Sequence, residues 1–422
     1  MKNLLKITCL FGFVVLLSCS CPEPATRQVF PENVQIRQVT HGPKHHFASA
    51  YYHLRSWDAS ERHLLCLETD IENHNPEMDE SATLGMIDLE TGEFIALAET
   101  YAWNFQQGAM QQWLGSSPDS LVIYNDSRNG KFVSVILNVH TKKEVKVIDR
   151  PLSAVSHDGT KAVSFNFARL HVTRPGYGYP GPGDNPRMNE NHPAGDGLYF
   201  VDLQTGQSRL IVSLEDVFQL NPPPAEKATQ LIWMNHTLIN TDGTRVFFLG
   251  RTPLIDRYGW LTAAYTVNLD GTELRCVLSY EWSGSHFDWL SPDRLMVTTY
   301  YRGARPWFHL LFTDTGSEDK DYRVLGEGVL VNDGHGMFSP DGRWMVTDLY
   351  PDGHHKRSLL LLNMDNDAVM PLGRFNDPPD NYTGPARCDL HARFNSLGNK
   401  LCFDSVDDGT RQIYIAELDF EK

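Results

Sequence analysis

The chain has 422 residues, enough for one large repeat domain or two to three ordinary ones. Its 53 acidic residues outnumber 37 basic ones, a formal net charge of −16 that excludes a nucleic-acid footprint. It leaves room for an anionic ligand held by one local cluster of cations, and seven cysteines in so long a chain are too few for a disulfide scaffold.

The first residues read as an export signal. Lys2 and Lys6 precede the apolar run Leu10 to Leu17, which ends at Leu17-Ser18-Cys19. A short positive start, a short apolar core and a small residue before the cut are the marks of a signal peptide. Cys19 after Leu-Leu-Ser also resembles a lipobox, so residues 1–18 are expected to be a lipoprotein signal and Cys19 the lipidated residue. The Pro-rich, polar segment 19–32 fits a tether, and residues 33–422 fit the folded body. The expected address is that of an exported lipoprotein, periplasmic or at the outer membrane or cell surface, with the lipid as its membrane contact.

The rest of the chain consists of short β-rich runs separated by turn signals, and one unit recurs. An apolar strand leads into Ser-x-Asp-Gly or a variant, a second strand follows, and a third ends near Asp-Leu-x-x-Gly. Phe338-Ser339-Pro340-Asp341-Gly342-Arg343-Trp344 is the clearest copy. Others start at Val155-Ser156-His157-Asp158-Gly159, Ile239 to Gly243, Trp289 to Arg294 and Phe394 to Gly398, with looser copies near Trp57 and Trp113. Seven four-stranded units cannot bury both faces alone, but stacked radially they can. The expected fold is all-β, a seven-bladed β-propeller, with Val34 to Thr40 pairing into the last blade to close the ring. Cys388 and Cys402 are spaced to meet across a hairpin.

The repeat lets positions be compared between blades. Three residues before the apolar anchor of each turn stand His236, His286, His335 and His391 in four successive units. On inner strands these imidazoles should converge at the channel, where neutral histidines suit a divalent transition metal. Asp288, Asp333 and Asp389 stand near three of them and are candidates for fixing their tautomers. A long excursion, Asn166 to Asp196, carries Arg174-Pro175-Gly176-Tyr177, an arginine and aromatics suited to an acidic sugar. His45-His46-Phe47 before Tyr51-Tyr52, just ahead of the first unit, could reach a channel mouth. So could the glutamines of Gln106-Gln107 and Gln111-Gln112. No Walker loop, Rossmann glycine pattern, H-E-x-x-H or Gly-x-Ser-x-Gly is present.

The Asp-Gly-Arg-Trp and Asp-Leu-x-x-Gly repeats resemble those of TolB-type propellers. With the histidines in register, the chain resembles the seven-bladed propeller polysaccharide lyases of the oligogalacturonate lyase and ulvan lyase type. That resemblance implies a metal-assisted β-elimination on a uronate-containing oligo- or polysaccharide, with His236, His286, His335 and His391 as ligand positions. In oligogalacturonate lyases a glutamine joins the histidines around manganese. No glutamine stands in register here, which leaves the ion open among Mn, Zn and Ca. Within that chemistry Arg174 or the metal would neutralise the carboxylate. His46 or an unligated channel histidine would be the base, and Tyr52 or Tyr177 the acid. Two other readings remain at this stage: a glycoside hydrolase on the same scaffold, and a non-catalytic TolB-like module that binds glycan or an envelope protein.

Overall fold

The computed structural model describes residues 30–48, 51–181, 183, 185–301, 305–315 and 321–420. The signal segment, Cys19 and the tether up to residue 29 lie outside the described residues. The rest forms seven four-stranded antiparallel sheets set in a ring, a seven-bladed β-propeller. Each of blades one to six is built from four strands consecutive in sequence. The seventh takes three strands from the C-terminal end and its outer strand, Asn33–Gln38, from the N-terminal end. That strand lies antiparallel to Gln412–Asp419, with Ile36 opposite Ala416, and closes the ring by joining the two ends of the described chain in one blade. The first strands of blades three and four, five and six, and six and seven touch each other, which places them innermost.

The turns explain why the repeat folds as it does. In Ser156-His157-Asp158-Gly159 the Ser156 hydroxyl donates to Asp158, and Gly159 takes φ +70°. Ser339-Pro340-Asp341-Gly342 repeats this, with Gly342 at +69° and the Trp344 N–H donating to Ser339 Oγ at 3.0 Å. The left-handed conformation costs a side-chain residue about 1–2 kcal/mol, which is why Asp-Gly recurs. At Gly159 a β-carbon would also meet the Gly115 backbone nitrogen of blade two at 2.7 Å, so the turn fixes how closely two blades pack. Blade one is a loose copy because Glu61 fills the left-handed slot, at φ +58°.

Two expectations are corrected. His45–Phe47 does not precede the first blade; it is that blade's inner strand, paired with His63–Thr69. Trp57, where the repeat copy of blade one starts, pairs with Leu64 of the same neighbouring strand, as Val155 pairs with Ala162 and Phe338 with Met345, so the inner strand of blade one is interrupted. Between them the chain leaves the sheet and crosses the axis. Tyr51 accepts from the Thr237 N–H of blade four at 2.7 Å, and its carbonyl accepts from Arg393 of blade seven at 3.4 Å. His53 pairs with Asp288 of blade five. The channel is thus filled by the protein's own backbone and aromatic rings. The second correction concerns sulfur: Cys66, Cys276, Cys388 and Cys402 are all free thiols, so Cys388 and Cys402 are not bridged.

Candidate functional site

Tyr52 organises one end of the axis. Its ring is buried and packs on Phe287 with centroids 4.2 Å apart, on His391 at 4.9 Å, on His236 at 5.8 Å and on His286 at 6.2 Å. Its hydroxyl is buried with no hydrogen-bond partner, and burial raises its pKa well above the ordinary value, so it stays protonated. Three of the four register histidines lie in a row with tilted rings: His286 and His335 have ring centroids 3.9 Å apart, His335 and His391 4.3 Å. His236 stands across Tyr52 from them, close instead to Tyr51 and Tyr177.

Carboxylates set the tautomers. Nδ1 of His286 donates to Asp333 Oδ1 at 2.8 Å, and Ser285 holds the other oxygen of Asp333. Nδ1 of His335 donates to Asp348 Oδ1, also at 2.8 Å. Asp348 accepts in addition the backbone N–H groups of His335 and His391, tying blade six to blade seven. With Nδ1 engaged, Nε2 of both rings is left for the centre of the site. Asp389 lies 4.0 Å from Nε2 of His335 and is gripped by Arg357 and Arg387. Asp288, the third carboxylate expected beside the histidines, serves elsewhere: it holds His53 and the Phe338 N–H. Asp348 lies outside the repeat positions that the sequence pattern singles out. It stands next to last in the strand Trp344–Leu349, whose apolar pattern gives no hint that its carboxylate turns inward.

The charge states follow from this packing. Burial depresses the pKa of His236, with Arg174 and His286 adding to the effect, and burial likewise depresses His391 and His286. Burial would do the same to His335, but Asp348, Asp389 and Asp333 outweigh it and raise its pKa. Asp348 is held well below the carboxylate range, because His335 and the two N–H donors overcome the burial that opposes them. The site therefore holds His286 and His391, both kept neutral, in contact with His335, which attracts a proton, and a neutral His236 across Tyr52 from them.

The excursion in blade three delivers its residues here. It opens with a short helix, Phe167–Thr173, capped by the Asn166 side chain. Arg169, almost wholly buried, donates to the carbonyls of Ile232, Pro186, Arg187, Glu190 and Asn191 and so staples the loop to blade four. Gly176 then passes so near Pro385 that a β-carbon would stand 2.2 Å from it. This brings the Tyr177 ring to 5.9 Å from His236, and its hydroxyl donates to Gln106 at 3.1 Å and accepts from Arg387 at 2.9 Å. Arg174 lies over the Tyr177 ring at 3.6 Å. Of the blade-two glutamines, Gln106 joins this network and Gln107 donates to Asn235, the neighbour of His236. His46 is not joined to the cluster. Both of its ring nitrogens are engaged, Nδ1 with Gln412 and Nε2 with Glu68, each at 3.1 Å.

Oligogalacturonate lyases share this fold. One from Vibrio parahaemolyticus superposes with a TM-score of 0.62 at 17% identity, covering 92% of this chain and 95% of that one. An oligogalacturonate lyase in complex with manganese gives 0.64 at 18% identity, covering 91% and 93%. No family model and no curated protein matches the sequence. The likeness therefore lies in the architecture, and the chemistry must be argued from the side chains.

Among the described residues no three histidine, cysteine or carboxylate side chains stand as a ready coordination set. The donor chemistry nevertheless fits a borderline divalent ion: two imidazoles oriented by carboxylates, a third that is neutral against them, and His236 with a buried Nδ1 that has no partner.

Proposed function

We propose that this protein is a polysaccharide lyase that cleaves a uronate-containing glycan by β-elimination, assisted by a divalent metal ion. The observation that carries the reading is the contact of His286, His335 and His391 beside Tyr52, backed by Asp333 and Asp348. Burying imidazoles against one another has no merit for packing, since apolar residues fill such a space better. The oligogalacturonate lyases of the same fold, one of them in complex with manganese, support the same class.

His286, His335 and His391 would hold the ion, which when bound would help neutralise the uronate carboxylate and acidify the adjacent C5 proton. Arg174, whose Nη1 is buried without an acceptor, supplies a second positive charge for that carboxylate. His236 is the base. It is kept neutral by burial and its Nδ1 has no partner, so it can take the C5 proton. The electron pair of the C5–H bond forms the C4–C5 double bond, and the C4–O bond breaks. Tyr52 is the acid, with a protonated and unpartnered hydroxyl for the leaving oxygen. Tyr177, already bonded to Gln106 and Arg387, positions the sugar and Arg174.

The anionic glycan would meet the protein where its local charge is positive despite the overall negative charge, at Arg174 and Arg387. The N-terminal signal, with Cys19 as the lipidated residue, would place this activity in the periplasm or at the cell surface. The test is incubation of purified protein, with and without chelator, with a panel of acidic polysaccharides. A lyase yields a product with a new conjugated C=C absorbance, lost on chelation and restored by a divalent ion. A saturated product with a new reducing end identifies a hydrolase, and binding without turnover a non-catalytic module.

A further inference from the structure

A second set of unpaired donors lies beside the proposed centre, on blade four. Arg251 is 4% exposed, and its Nε and Nη1 are buried with no hydrogen-bond partner. Trp233, directly opposite it on the neighbouring strand, is 1% exposed, and its Nε1 is also buried and unpartnered. Thr262 faces Arg251 on the other side, so Trp260, two residues earlier, shares this face of the sheet. The guanidinium of Arg251 lies 5.6 Å from the Trp260 ring centroid and that of Arg174 lies 4.6 Å from the same ring. Among the described residues no carboxylate pairs with either arginine. Trp260 is half-buried, and Tyr258, at the tip of the same hairpin, lies 6.0 Å from its ring and is 92% exposed.

Every unsatisfied atom named here is a donor, and two of the three belong to the cationic guanidinium of Arg251. A charge taken out of water without a counter-charge is costly, and the cost is relieved by an anion. An aromatic platform between two guanidiniums matches a sugar ring that carries a carboxylate. We propose that Arg251 and Trp260 form a second anion subsite, which takes the uronate next to the one held at Arg174 and Tyr177. This rests on the acidic-glycan reading above, but not on the elimination chemistry.

The test is calorimetric titration with galacturonate and trigalacturonate, using wild type, Arg251→Gln, Arg251→Lys and Trp260→Ala. Melting curves check that each variant is folded. Arg251→Gln is expected to weaken trigalacturonate at least tenfold and leave galacturonate unchanged, with Arg251→Lys recovering part of the loss. Should Arg251→Gln not fold, Arg251→Lys and Trp260→Ala carry the test, each expected to weaken the trimer selectively. The subsite is overturned if these variants bind the trimer like wild type, if monomer and trimer weaken equally, or if wild type binds neither. Arg251-dependent binding without an unsaturated product would sustain the subsite and remove the lyase reading. Turnover that ignores Arg251 would do the reverse.

Discussion

The two sides of the ring use one structural slot for different ends. Three residues before the turn anchor, blades four to seven carry His236, His286, His335 and His391, while blades one to three carry Leu54, Met110 and Leu152. All seven are buried. Met110 takes φ +54°, close to His236 at +50° and His391 at +44°. The left-handed kink therefore occurs with methionine as well as with histidine and is not a property of the imidazole. What distinguishes the two sides is chemistry: apolar side chains on one, and on the other polar rings, two of which, His286 and His335, have carboxylate partners. A fold that needed only a filled axis would have no use for that asymmetry.

The largest effect should come from breaking the polar side. His335→Ala removes the ring that touches both His286 and His391. We expect turnover per folded molecule to fall by about 10³-fold, in the range typical of lost acid–base or metal-holding groups, measured by the rate of unsaturated-product formation. Retention of wild-type turnover would sink the site as drawn. Asp348→Ala should act mainly on the fold. It strips the partner from a buried His335 and from two backbone N–H groups, a class of change that costs about 3–5 kcal/mol, read by denaturant unfolding. Met110→Ala sharpens the contrast from the apolar side. It should cost about 2–5 kcal/mol as a buried large-to-small change while leaving turnover per folded molecule unchanged.

How much of this the sequence carries depends on the kind of interaction. The blades, the closing strand and the register of the four histidines follow from turns and apolar anchors, which are local. The crossing of the axis by Tyr51 to Leu54 does not, because it is set by contacts with blades four, five and seven that lie far along the chain. For the same reason His46 reads as a channel residue in sequence, yet its nitrogens are taken by Glu68 and Gln412, the latter 366 positions away. Asp333 was visible as a carboxylate near His335 but serves His286 in the preceding blade. Period-two patterning places a side chain on a face, not against a partner in the next blade.

Acidification offers a smaller and graded test of the same asymmetry. His236, His286, His391 and His309 have folded pKa values below the unfolded one, His309 at about 4. Below the unfolded value of about 6.5 the unfolded chain takes up protons that these rings refuse, so stability falls as pH drops, by up to about 1.4 kcal/mol per pH unit for each site. His335 works the other way. Its pKa is raised, so its contribution is complete below about 6.5 and is lost as pH rises through the folded value. Asp348, Asp333 and Asp389 are depressed, so they add stability above about 3.9 that disappears as pH falls further. Denaturant midpoints against pH should therefore decline in two stages on the acid side. Alanine at His236 or His391 should flatten the first stage, whereas Leu152→Ala should lower the whole curve without changing its shape.

The smallest effect is expected at a slot where the two sides do not differ. The turn between the third and fourth strands uses glycine in blades one and three, with Gly92 and Gly206 at φ +74° and +79°. Lys142 in blade two and Asp367 in blade six hold the same left-handed conformation with a side chain, at +54° and +57°. One lies on each side of the ring, so the strain follows the local turn and not the site. Lys142 is exposed, and replacing it with glycine trades backbone strain against a more flexible unfolded chain. The net gain should be about 0.5–1 kcal/mol, seen as a higher unfolding midpoint, with turnover unaltered. A loss of stability would show that this turn is held by its side chain, and the claim that outer turns are interchangeable across the ring would fail with it.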